Sequence, residues 1–250
     1  MKLKDRVALV TGGGTGIGRA IATYLAREGA AVAVNYSRSE ADAHQTVAEL
    51  KGLGVPSLAV RADVADDGEV REMVEKVRGE LGRLDILVNN AGFTRFVDHA
   101  NLEGMTEGDW DRIFAVNVKG VFCCCRAVAA MMKEQGWGRI INIASISGLS
   151  GQGSSIAYAA SKAAVISLTK SLARVLGPEI TVNAIAPGFI DTRWFDGVES
   201  IDSRRQAYSQ AAPLKRVGKP EDIAEVALSL AADWNSVTGQ VIVADCGWTV

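Results

Sequence analysis

Arg6-Val7-Ala8-Leu9-Val10-Thr11-Gly12-Gly13-Gly14-Thr15-Gly16-Ile17-Gly18 is the stretch that decides the fold. Its first six residues read as a buried strand, a short apolar run that stops at glycine. A helical pattern over 19–28 takes over directly after the last glycine. A glycine-rich turn between a strand and a helix N-terminus is a physical phosphate site. The backbone N–H groups are free there, the dipole favours an anion, and no Cβ blocks approach. The spacing is Gly12-x-x-x-Gly16-x-Gly18, which does not fit the Gly-x-Gly-x-x-Gly fingerprint. The strand before and the helix after therefore carry the reading against a flexible turn with no ligand.

Working outward, strand and helix alternate along the whole chain. A second strand covers 31–36, and its end faces the ribose of any dinucleotide held by the turn. An acidic residue about 20 residues beyond the glycines would bond a ribose 2′-hydroxyl and mark NAD. The segment instead reads Tyr36-Ser37-Arg38-Ser39, and a hydroxyl followed by a guanidinium suits a 2′-phosphate. NADP(H) is favoured over NAD(H), with a solvated surface arginine as the plainer reading of Arg38. Helix, strand and helix follow over 40–53, 57–61 and 66–81. A fourth strand over 84–88 ends in Asn89-Asn90-Ala91-Gly92, polar amides and a glycine where open α/β sheets bind ligands. Thr106-Glu107-Gly108-Asp109 has the form of a capping box. Asn117 sits inside the apolar run 113–122, either as a core amide satisfied by backbone or as a polar group lining the site. Strands over 139–144, 180–186 and 240–244 complete a set of about seven. Residues 189–213 fit no strong period and carry Trp194, Phe195 and Tyr208, the form of a substrate lid. No linker or repeat divides residues 1–250, so they form a single α/β domain.

Composition narrows the function. The chain has 250 residues, 48% of them hydrophobic, enough for a sizeable core. A net charge of −2 without basic runs leaves no footprint for nucleic acid. No apolar stretch is expected to reach the roughly 18 to 20 residues of a membrane span, and the charged N-terminal residues precede too short an apolar run for a signal peptide, so the expected location is the cytoplasm. Cys123, Cys124 and Cys125 are consecutive, Cys246 stands apart, and two histidines lack ligand spacing. Disulfides, zinc and histidine chemistry are not expected.

One helical run, 156–177, carries Tyr158 and Lys162 four residues apart and hence on one face. A nearby ammonium favours a phenolate, so Lys162 is expected to lower the pKa of Tyr158 and fit it for acid–base work. Ser145 closes the strand over 139–144, and the Gly- and Ser-rich loop after it is long enough to bring its hydroxyl beside Tyr158. A packed ring beside a solvated amine is the plainer reading of the pair.

Thr11-Gly12-x-x-x-Gly16-Ile17-Gly18, Asn89-Asn90-Ala91-Gly92, Asn117, Ser145, Tyr158-x-x-x-Lys162 and Pro187-Gly188 together resemble the short-chain dehydrogenase/reductase family, over nearly the whole chain. The resemblance implies a Rossmann-type, doubly wound parallel sheet of about seven strands with helices on both faces. It implies that Tyr158 exchanges a proton with a carbonyl or alcohol oxygen, that Ser145 hydrogen-bonds that oxygen, and that Lys162 tunes the tyrosine and holds nicotinamide ribose hydroxyls. It assigns Asn117 to a proton-relay water, and Asp63 and Val64 to adenine. Asn90 falls beside the adenosine ribose. Thr15, Ala91, Gly92 and Ile190 join the cofactor-binding set. It also implies a homotetramer packed through the helices over 121–133 and 156–176.

The chain is most similar to 3-oxoacyl-(acyl-carrier-protein) reductases and their relatives, which implies a small-molecule or acyl-thioester carbonyl as substrate. Gly136 and Glu179 stand where such reductases carry arginine, and nearby Arg139 and Arg174 read equally as partial compensation or as solvated surface residues, so a carrier-protein partner is only one option. Oxidation of a sugar or other small secondary alcohol is the alternative. A catalytically silent nucleotide sensor is the third reading, opposed by the intact Asn117, Ser145, Tyr158 and Lys162. Thr15 replaces the basic residue common in NADP-preferring members, and Cys246 replaces a more usual glycine.

Overall fold

The computed structural model describes residues 1–199 and 201–250. Seven strands form one parallel sheet in the order β3-β2-β1-β4-β5-β6-β7. They are β1 (Val7–Val10), β2 (Ala31–Tyr36), β3 (Ser57–Arg61), β4 (Ile86–Asn89), β5 (Gly138–Ile143), β6 (Ile180–Pro187) and β7 (Val241–Ala244). The order reverses between β1 and β4, and the crevice outside their C-terminal ends is where such sheets bind ligands. The all-apolar runs of the sequence are explained by burial on both faces. In β1, Val7 and Leu9 enter one core while Ala8 and Val10 enter the other, the alternation a pleated strand imposes.

Helices α1 (Gly16–Arg27), α2 (Glu40–Gly52) and α9 (Pro220–Ala232) cover one face through Ile21, Leu25, Leu50 and Leu230. Helices α3 (Asp67–Leu81), α5 (Val121–Glu134) and α7 (Ile156–Leu176) cover the other through Met73, Val128 and Leu172. Cys123, Cys124 and Cys125 are buried on this second side as free thiols. The capping box is present: the Asp109 N–H donates to Thr106 Oγ1 (3.2 Å) and the Thr106 N–H to Asp109 Oδ2 (3.1 Å), opening α4 (Glu107–Phe114).

Two expectations need correction. The run Glu107–Glu134 is one continuous helix, with a π-helical segment at Ala115–Gly120 between α4 and α5, and it is long and apolar enough to cross a membrane by length and composition. Half of its most apolar window is buried inside the fold, so the apolarity serves the sheet-facing side. The second concerns 189–213, which is not irregular. It holds a 3₁₀ turn at Arg193–Phe195 and an eleven-residue helix, α8 (Ile201–Ala211). Tyr208 is the one buried residue among those described in α8, so the helix has almost no apolar stripe to betray it. Ser200 lies outside the described residues.

Candidate active site

The glycine turn is shaped by its neighbours as much as by its own sequence. Gly12 (φ +60°) and Gly16 (φ +51°) adopt the left-handed backbone that side chains disfavour. A Cβ on Gly12 would crowd Ala91 Cα at 3.1 Å. Thr11 Oγ1 accepts the N–H groups of Asn90 (2.9 Å) and Ala91 (3.0 Å). The Asn90 side-chain amide donates to the carbonyls of Thr11 (2.9 Å) and Gly12 (3.1 Å). From β2, Asn35 Oδ1 accepts the Gly12 N–H at 3.3 Å. Three strand ends are thereby stitched around the free N-terminus of α1.

From this turn a cavity of about 840 Å³ runs along the C-terminal edge of the sheet to the lid. Its wall includes Gly12, Thr15, Gly16, Ile17, Tyr36, Ser37 and Arg38 at the α1–β2 end, then Asp63, Val64, Asn90, Ala91 and Gly92. It continues to Ser145, Tyr158, Lys162, Pro187, Gly188 and Ile190. Two residues of the expected set are not in the wall. Gly18 is buried, and a Cβ there would collide with the Gly12 carbonyl and the Asn90 amide, so it packs the helix on the turn. The Asn117 side chain is fully buried, donating to the Phe93 carbonyl (2.9 Å) and Ser161 Oγ (3.0 Å) and accepting the Phe93 N–H (2.8 Å). Its partners are thus both backbone and side chain, and its Oδ1 lies 3.7 Å from where a Cβ on the wall residue Gly92 would stand.

Buried Ser155 caps α7, its hydroxyl accepting the Tyr158 N–H at 3.2 Å, and so fixes the turn that aims the tyrosine. Ser145 faces the phenol, and its oxygen also accepts the N–H of Ser147, the first residue of the one-turn helix α6 (Ser147–Ser150), at 3.1 Å. Lys162 is buried and donates to the Ile143 carbonyl at 2.7 Å. Its Nζ lies 5.6 Å from the Tyr158 ring centroid. The expected depression of the tyrosine is not found. Burial pushes the Tyr158 phenol up to about 12, with Ser145 pulling weakly the other way. Burial also lowers Lys162 to about 8, so the loss of water outweighs the neighbouring cation. At neutral pH the pair is a protonated phenol beside an ammonium.

Residues the sequence reading did not assign also line the wall. Thr192, 3.4 Å from where a Gly16 Cβ would lie, and Arg193 hang from the lid over the glycine turn. The Arg193 guanidinium donates to Asp42 Oδ2 (2.8 Å) and Ser39 Oγ (3.2 Å), tying the lid to α2. Burial raises the Asp63 carboxyl, but the backbone N–H of Ala65 and then Arg112, which donates to Asp63 Oδ2 at 2.9 Å, hold it below its usual range. Phe96 and Trp248 close the lid side. Trp248 stands near the C-terminus with no periodicity to flag it, whereas the threonine and arginine follow Pro187-Gly188 at a spacing that was available to be read.

A family model described as Enoyl-(Acyl carrier protein) reductase matches residues 12–249. The chain belongs to the short-chain dehydrogenase/reductase family. It is 46% identical, over 94% of each chain, to a 3-oxoacyl-[acyl-carrier-protein] reductase of Staphylococcus aureus. The corresponding reductase of Thermotoga maritima is 43% identical over the full length of both. A solved short-chain type dehydrogenase/reductase from Mycobacterium marinum superposes with a TM-score of 0.90 at 38% identity, covering 99% of this chain and 96% of that one. As a short-chain dehydrogenase/reductase, the protein is an NAD(P)-dependent oxidoreductase acting on a CH–OH or carbonyl group.

The wall fits a dinucleotide. Among the described residues it carries five cationic side chains (Arg38, Arg112, Lys162, Arg193 and Arg204) and one carboxylate, Asp63. That imbalance, together with the Cβ-free turn at the α1 N-terminus, suits a polyanion.

Proposed function

We propose that the protein reduces a 3-oxoacyl-type ketone with NADPH. The observation that carries the reading is the convergence of Ser145, Tyr158 and Lys162 in one wall with the glycine turn. The residues Gly12, Thr15, Gly16, Ile17, Asp63, Val64 and Asn90 would hold the dinucleotide, and Ser37 and Arg38 its 2′-phosphate. When bound, the nicotinamide supplies the hydride. Tyr158 holds the proton that goes to the substrate oxygen, and with its pKa raised by burial to about 12 it is protonated at neutral pH. Ser145 donates to the same oxygen where negative charge gathers, the kind of contact whose loss costs about 3–4 kcal/mol. Lys162 holds a positive charge beside the phenol, so that the phenolate left behind is not isolated in an apolar site.

NADP(H) is preferred because no acidic side chain from the end of β2 enters the wall, whereas Ser37 and Arg38 do. The substrate is a carbonyl on a thioester or free molecule, since Gly136 and Glu179 offer no basic dock for an acidic carrier protein. We place the enzyme in the cytosol as a homotetramer. Exposed Phe122 on α5 with Ile156 and Val175 on α7 supports the assembly, because these are the helices through which relatives are expected to pair.

Coenzyme consumption with acetoacetyl-CoA tests the reading. Turnover with NADPH well above that with NADH is expected, and Arg38→Ala should reduce the NADPH/NADH ratio of kcat/KM by about tenfold, the size of one charge-assisted hydrogen bond. No turnover of the thioester would overturn the substrate class. An unchanged ratio would remove Arg38 from the phosphate site.

A further inference from the structure

The cavity has two halves of different chemistry. Strand ends and the glycine turn build a polar half, while the lid half is walled by aromatic rings. Phe189 and Phe195 stack with centroids 4.4 Å apart at 8°, and Phe96 leans on Phe195 at 6.0 Å. Tyr208 stacks on Trp248 at 4.5 Å and 11°, and meets Phe189 at 5.7 Å. These contacts join the rings into one continuous wall. Trp194 stands separately, its ring 6.1 Å from that of Tyr158 and its edge 3.7 Å from where a Gly92 Cβ would lie. A molecule whose oxygen reaches the Tyr158 phenol therefore passes beside Trp194.

A flexible chain gains the same contact area from any apolar wall and loses rotor freedom on entering. A flat ring loses no such freedom and adds the quadrupole attraction that offset or tilted ring pairs provide. We propose that the part of the substrate beyond its carbonyl is a flat aryl or fused-ring system, and that Trp194 is the residue that reads it. This rests on the reading of the site as a ketone reductase and specifies what that ketone is attached to. The wall's own stacked pairs leave Trp194 as the ring that faces Tyr158 rather than another wall member.

The test compares 1-tetralone with 2-decanone, ketones of equal carbon count, one fused-ring and one linear. With wild-type enzyme and NADPH, kcat/KM for tetralone should exceed that for decanone by about tenfold. Trp194→Ala should collapse that ratio toward one, and Trp194→Phe should keep most of it. In parallel, the Kd of each ketone is measured by calorimetry on NADPH-loaded Tyr158→Phe, with and without the Trp194 substitution. A wild-type ratio near one, or an equal loss of both ketones in Trp194→Ala, overturns the inference and leaves ketone reduction standing. Tighter, Trp194-dependent binding of tetralone without turnover of either ketone, acetoacetyl-CoA also being left unreduced, sinks the reductase reading and keeps the ring pocket. Binding of neither ketone overturns the inference, and takes the reductase reading with it only if acetoacetyl-CoA is not reduced either.

Discussion

Tyr158 is an acid whose strength is set by enclosure, not by charge pairing. A residue four positions away can be read from spacing, and it is indeed in the same wall, but the sign of the pKa shift depends on how much water the surrounding loops and lid remove. Here the phenol is raised to about 12 and Lys162 lowered to about 8, both by burial. A phenol protonated at neutral pH is in the form that donates to a carbonyl, although burial leaves it a weaker acid than a free tyrosine. Replacing Tyr158 by Phe keeps the ring packed and removes only the proton. We expect kcat to fall by roughly 10²–10⁴-fold, the usual worth of a positioned acid, while the NADPH Kd measured by fluorescence changes by less than about twofold. Near-normal turnover in that variant would end the acid–base assignment.

At the scale of elements, legibility followed burial. The strands were readable because most are nearly all-apolar runs, β1, β4 and β6 being stopped by glycine, amide or proline, and α7 because its apolar stretch is long and begins at a serine cap. Helix α8 was not, since eleven residues with one buried side chain among those described carry no period. Nor was the π-helical segment, because one extra residue per turn leaves no mark on composition. Within the site, glycines and the Ser–Tyr–Lys set announce themselves by type, but the packing role of Gly18, and the clamp that Asn90 adds to its place in the wall, show only in what stands against them. The turn after β7 adds a stability prediction. Cys246 has φ +59°, a left-handed backbone that costs a side-chain-bearing residue about 1–2 kcal/mol. Cys246→Gly should therefore stabilise the protein by about 1 kcal/mol in urea titration, with unchanged m-value. A loss of stability would show that the thiol packs better than its backbone suffers.

For the molecule as a whole, buried acids of the thiol and phenol kind predict how it fails in alkali. Cys125 is raised from 9.0 to about 12, and Tyr158 and Tyr208 from 10.0 to about 12, each chiefly by burial. Each keeps its proton in the folded chain at a pH where the unfolded chain has lost it, so its contribution is whole below about pH 9 and drains away as pH climbs toward 12. Lys162, lowered from 10.5 to about 8, runs the opposite way, gaining between those values as its buried charge is relieved. Three groups against one give a net fall, and the melting temperature under reducing conditions should drop steadily from about pH 9.5 to 11. A flat profile would mean these side chains are wetter than they look.

The Asn90 clamp has a consequence for how this protein could be divided. Its amide grips the Thr11 and Gly12 carbonyls from 79 and 78 positions further along the chain. A fragment cut after β3 would keep every glycine of the turn and still lack the hand that shapes it. The nucleotide cradle is therefore not a portable module at the front of the chain. It comes into being only when β4 has docked beside β1.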